Sequence, residues 1–140
     1  MKIVDATVIR EFPYSKETVC RFFSAPALIV SWHPWIETVS IFDKCGLSFR
    51  RATLSGGETE LVEKYWSDQN DEEFFYQVVE GLWSDYRYRS KVLVESTGEE
   101  SCRITWEGRL MLQKPEDEKE QMEAFFSEGL DGLEVFLADL

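Results

Sequence analysis

Histidine is almost missing from this chain, with His33 alone among 140 residues. The three cysteines, Cys20, Cys45 and Cys102, stand too far apart for a paired ligand motif. No donor set for zinc remains, and no metal or other cofactor is expected. Basic residues are also scarce. Fifteen Lys and Arg stand against 27 Asp and Glu, giving a net charge of −12. Apart from Arg50-Arg51 and the set Arg87, Arg89, Lys91, the cations are scattered. Nucleic acid and an anionic membrane surface both require clustered cations, so neither is expected as a partner. No apolar run approaches the roughly 18 residues of a membrane span, which excludes stable helical insertion. A Gly-rich phosphate loop is missing, and so is a nucleophile beside the histidine. The odd cysteine count and the lack of a signal peptide predict reduced thiols and a cytoplasmic location.

What the chain does have is apolar and aromatic mass. Hydrophobic residues make up 44% and aromatics 14%. That is too much for disorder and enough for one sizeable core, so residues 1–140 are expected to form a single domain. The aromatics exceed the needs of a minimal core, and some are candidates for lining a cavity. They crowd at Trp32-His33-Pro34-Trp35, beside the lone histidine.

The order of elements is legible. Met1 to Phe12 reads as a strand ended by Pro13. Ser15 is a candidate N-cap, with Glu17 in the first turn of a short helix from Lys16 to Phe23. Pro26 suits the first turn of a second short helix through Ser31. Strand signals follow at Ile36–Phe42, Leu47–Leu54, Glu58–Ser67, Phe74–Glu80 and Tyr86–Ser96. They are separated by turn chemistry at Asp43-Lys44-Cys45-Gly46, Ser55-Gly56-Gly57 and Asp68-Gln69-Asn70-Asp71. After the turn at Thr97–Glu100, Cys102, Ile104, Trp106, Gly108, Leu110 and Leu112 alternate with polar residues, as in a half-buried strand. Pro115 is placed to open a long final helix, whose apolar stripe runs through Met122, Phe126, Leu130, Leu133, Leu137 and Leu140. The fold class is α+β: a curved seven-stranded antiparallel sheet wrapped around a long C-terminal helix, with two short helices after the first strand.

This layout resembles the START/Bet v 1-like (SRPBCC) superfamily, the helix-grip proteins, and within it the polyketide cyclase/dehydrase and lipid-transport branch. The resemblance is carried by Trp32-His33-Pro34-Trp35-Ile36, Gly46 with Phe49-Arg50, Thr53-Leu54, and Ser55-Gly56-Gly57. It continues through Glu63 with Asp68, Tyr76 with Val78, Asp85-Tyr86, Thr105-Trp106, and Gly129-Leu130 with Leu133. It implies a START/Bet v 1-like ligand-binding domain with a cavity between sheet and final helix. It is also similar to plant abscisic-acid receptors, but Ser55-Gly56-Gly57 lacks the Leu-Pro of their gate and Leu82-Trp83-Ser84 does not match their latch.

Several ligand-binding residues follow from that resemblance. His33, flanked by Trp32 and Trp35, would meet a ligand or act as a general acid or base. It would otherwise be packed at a turn. Arg50 would face the cavity with Glu63 as its partner on the neighbouring strand, as a polar anchor or as an internal ion pair. Tyr76, Tyr86 and Tyr88 would point inward and offer hydroxyls to a largely apolar molecule. Trp106, with space beside it at Gly108, and Phe126, Leu130 and Leu133 of the final helix would complete the wall. The leading reading is a binding or carrier protein for a small hydrophobic ligand of lipid, polyketide or terpenoid type. The alternatives are a polyketide cyclase/dehydratase-like enzyme and an interaction module similar to Hsp90-ATPase activators. Catalytic residues are not identifiable. A homodimer is possible, seated on exposed aromatics such as Trp66 or Trp83.

Overall fold

In the computed structural model, which describes residues 1–140, the alternating run near the C-terminus becomes the longest strand. All six apolar residues expected on one face of β7 (Ser101–Leu112) are buried, and none of the intervening residues is. β1 (Lys2–Phe12) pairs antiparallel with β7 along its entire length, from Lys2 opposite Leu112 to Phe12 opposite Cys102. The remaining strands are β2 (Ile36–Lys44), β3 (Leu47–Leu54), β4 (Glu60–Ser67), β5 (Glu73–Gly81) and β6 (Arg89–Gly98). They form one antiparallel sheet in the order β1-β7-β6-β5-β4-β3-β2. Sequential hairpins account for every neighbour except β1–β7, which closes the meander by returning the last strand to the first.

The helices follow the expected positions. Ser15 caps α1 (Lys16–Ser24) by accepting from the Thr18 backbone N–H. A 3₁₀ turn at Pro26–Leu28 leads into the single turn of α2 (Ile29–Trp32). The long helix α3 spans Glu118–Ala138. It starts later than Pro115 because Glu116 donates its N–H to the Glu118 carboxylate instead of entering the helix. Met122, Phe126, Leu130, Leu133 and Leu137 face the sheet, whereas Leu140 lies beyond the helix and is exposed.

Two glycines set how closely α3 approaches its neighbours. A Cβ on Gly132 would lie 2.0 Å from the Trp32 carbonyl oxygen, and one on Gly129 would lie 2.5 Å from the His33 ring. One turn apart, they present bare helix backbone on which the segment from Trp32 to Pro34 rests. Gly108 has a similar role on the sheet side. The space beside it is filled by Phe126, Met122 and Tyr88 and is not part of a cavity.

Gly132→Ala is expected to destabilise the protein by about 2 kcal/mol, despite the gain of about 1 kcal/mol in helix propensity. The clash is with backbone, which cannot rotate away. A urea midpoint at or above that of the wild type would refute the close docking.

Candidate functional site

The sheet and α3 separate toward the helix N-terminus. A pocket of about 340 Å³ opens there. Its mouth is formed by Trp35, Leu54, Thr59, Leu82, Trp83, Gln121 and Phe125. Its buried end carries Arg50, Glu63, Tyr76, Val78, Tyr88, Ser90 and Trp106, with Ile29, Ile36 and Leu61 between. Twelve of the 17 lining residues are hydrophobic, so the polar groups are few and individually placed. A larger depression of about 670 Å³ lies mainly on the outer face of the sheet, among Asp5, Arg89, Lys91, Glu107 and Arg109. Those charged groups stand in open solvent and form exposed ion pairs such as Arg109–Asp5, so that site cannot desolvate a ligand.

The Arg50–Glu63 pair is built by strand register. The two residues are direct partners across β3 and β4. A bulge at Val62/Glu63 leaves both of these consecutive residues buried. Arg50 donates from Nε and Nη2 to the same carboxylate oxygen, Glu63 Oε1, at 3.0 and 2.7 Å. Its Nη1 donates to the Pro26 carbonyl at 3.2 Å, tying the 3₁₀ turn to the sheet. The guanidinium also lies over the Tyr76 ring, 4.8 Å from its centre. Burial opposes the Arg50 charge, but the adjacent Glu63 carboxylate leaves its pKa above the ordinary arginine value. Arg50 and Glu63 are 5% and 9% exposed, so the charges are held together in low dielectric. Burial pushes the Tyr76 hydroxyl up to about 12 and raises Tyr88 further, so both stay neutral donors.

His33 is buried elsewhere. Its ring lies against the bare backbone at Gly129 and 4.0 Å from the Phe125 ring centre. The Trp35 N–H donates to Nδ1 at 3.1 Å, which assigns the proton to Nε2, and Nε2–H donates to the Phe125 carbonyl at 2.8 Å. Both nitrogens are therefore committed to backbone. Burial pulls the imidazole pKa down to about 4, against the hydrogen bond to Phe125, which raises it. Of the two readings open from the sequence, this geometry matches the histidine packed at a turn: a neutral tie between α3 and the α2–β2 link.

The other expected site residues divide by geometry. Arg50, Glu63, Tyr76, Tyr88, Trp106 and Trp35 line the pocket. Trp32 does not; it packs in the core against Phe23 and Trp106. Tyr86 lies in a 3₁₀ turn, Ser84–Tyr86, and is exposed. The flanking residues Trp83 and Arg87 adopt positive φ, which delays β6 to Arg89 and takes Tyr86 out of the strand alternation. Phe126, Leu130 and Leu133 are fully buried core residues and do not form the wall. The helix contributes Gln121 and Phe125 instead. Trp83, considered above as a dimer seat, covers the pocket and packs edge-on against Tyr88. Trp66 is exposed and stacks on Phe75. Val78 and Leu61 are further lining residues, and Val78 shares the inward phase of Tyr76. No group of three His, Cys, Asp or Glu is placed to hold a metal ion, and no helix is long and apolar enough to cross a membrane.

Two measurements test this description. His33 has a folded-state pKa below its unfolded value, so the unfolded chain takes up the proton first. Its contribution, on the order of 3 kcal/mol, is present above pH 6.5 and is lost as pH falls toward 4. Imidazole nitrogen NMR of this one histidine should show a neutral Nε2–H ring down to about pH 5. A titration midpoint near the free value would contradict the burial. For the ion pair, Glu63→Ala is expected to cost about 3–5 kcal/mol because Arg50 is left buried and unpaired. Arg50→Met/Glu63→Leu should recover most of that loss in urea unfolding.

No protein-family model matches the chain, and no curated protein matches it in sequence. Solved structures do match in three dimensions. A START superfamily protein from Mycobacterium smegmatis is 16% identical with a TM-score of 0.74, the match covering 98% of this chain and 97% of that one. Norcoclaurine synthase from Thalictrum flavum, in complex with dopamine and hydroxybenzaldehyde, is 20% identical with a TM-score of 0.76 over 99% and 88%. An aromatase/cyclase from a Streptomyces species is 11% identical with a TM-score of 0.74 over 95% and 90%. These likenesses extend over nearly the whole chain and agree with the strand order and the position of the long helix. The chain has the helix-grip fold that these structures share, an antiparallel sheet around a long C-terminal helix.

Proposed function

We propose that the protein binds a small, largely apolar molecule in the pocket between the sheet and the N-terminal half of α3. One observation carries this reading: a mostly hydrophobic recess of about 340 Å³ ends on a buried cluster of placed polar groups. Ligand sites commonly occupy about 300–1,000 Å³, so the pocket lies at the small end. It suits a ligand of one or two ring systems, such as a small polyketide or terpenoid, better than a two-chain lipid. Trp35, Trp83, Trp106 and Phe125 supply flat apolar area around it. The solved relatives of this fold, one holding dopamine and hydroxybenzaldehyde, support a role in handling small organic molecules.

An enzymatic variant of this reading would have to rely on Glu63, Tyr76 and Tyr88, because His33 has no free nitrogen. Glu63 is bound to Arg50 and the tyrosines are held neutral, which favours binding over proton transfer. Carriage of the ligand in the cytoplasm is part of the same proposal.

The test is binding of a neutral fluorescent apolar probe, N-phenylnaphthylamine, together with native mass spectrometry of protein purified from its own host. Val78→Trp fills the buried end and should weaken probe binding by at least about tenfold, with the thermal melt still cooperative. Leu61→Trp provides a second obstruction should Val78→Trp fail to fold. Probe binding indifferent to both would exclude this pocket as the site.

A further inference from the structure

The Arg50–Glu63 pair does more than neutralise itself, because its geometry is one-sided. All the hydrogen bonds that Glu63 receives fall on Oε1, and Oε2 receives none from the protein. All three guanidinium nitrogens of Arg50 are engaged, two by Glu63 and one by Pro26. At this end of the pocket the unanswered acceptor is thus a carboxylate oxygen, and two of the five guanidinium N–H groups are left over. The indole N–H of Trp106 also has no acceptor in the protein, but it is buried away from the pocket surface and offers a ligand no donor. The Tyr76 ring lies beneath the guanidinium and lines the same end of the pocket.

Resting on the ligand-binding reading above, we propose that the pocket selects its ligand through a neutral hydroxyl, phenolic or alcoholic, placed at the buried end with its proton directed to Glu63 Oε2. A hydroxyl both donates and accepts, so it can satisfy a spare acceptor and also take a hydrogen bond from a spare donor. A ligand carboxylate only accepts and would set a second negative charge beside Glu63 in low dielectric. An ether or ketone leaves the Glu63 oxygen unanswered. An ammonium ion only donates and would face the Arg50 cation. The polar anchor expected at Arg50 and Glu63 is thereby one that favours a hydroxyl over an acid.

Three compounds sharing one apolar body test this: β-naphthol, its methyl ether and β-naphthoate, each titrated against the wild-type protein at neutral pH by displacement of N-phenylnaphthylamine. β-Naphthol should bind at least about tenfold more tightly than either of the others. In Arg50→Met/Glu63→Leu the preference for β-naphthol over the ether should shrink to about twofold or less. Tightest binding by β-naphthoate, or equal binding of all three to the wild type, overturns the hydroxyl proposal and leaves the pocket reading intact. Failure of all three to displace the probe, with Val78→Trp also without effect on it, overturns the pocket reading and this proposal with it.

Discussion

The docking of Trp32-His33-Pro34 on the glycine face of α3 is the constraint on which the rest of the structure depends. Gly129 and Gly132 bring the link into contact with helix backbone, and the His33 ring bridges the Phe125 carbonyl and the Trp35 N–H. A hydrogen bond to a helix carbonyl that also belongs to the helix ladder has strict angular needs, so it sets rotation as well as distance. Rotation matters because it decides which α3 residues meet the sheet and which meet the pocket. With the helix held in this phase, Met122, Phe126, Leu130 and Leu133 are directed into the core, and Phe125 stays at the edge of the pocket.

The hollow between sheet and helix is consequently divided in two. Toward the C-terminal half of α3 it is closed by aliphatic packing and by the aromatic set Phe23, Trp32 and Trp106, which meet mainly edge to face. Toward the N-terminal half it stays open, and the ion pair lies at its inner limit. Arg50 then has two tasks in one place. It holds the Pro26 turn against β3, and it spreads its charge over the Tyr76 ring. The carboxylate that balances it faces the space where a ligand would lie, which couples the architecture of the short-helix region to the chemistry of the pocket.

The strands and their order were readable from the chain because each signal is local: alternation in β7, turn residues between hairpins, and a broad apolar stripe in α3. The Arg50–Glu63 partnership was readable too, since adjacent strands of a hairpin bring their midpoints together. The role of His33 was not. A histidine between tryptophans has the same local pattern whether it faces a cavity or a helix, and the deciding residues, Gly129 and Gly132, lie almost a hundred positions away. Phe125 and Phe126 are neighbours in a wide stripe, so periodicity alone cannot choose between them. Tyr86 was lost to a backbone effect without a strong signal: positive φ at Trp83 and Arg87, neither of them Gly, Asn or Asp.

The placement of the five tryptophans has a practical consequence. Trp35, Trp83 and Trp106 surround the pocket, while Trp32 is sealed in the core and Trp66 lies outside on Phe75. An occupant would change the surroundings of three indoles and leave two as an internal standard. The molecule thereby carries its own optical gauge of occupancy, with a signal that needs no dye or label.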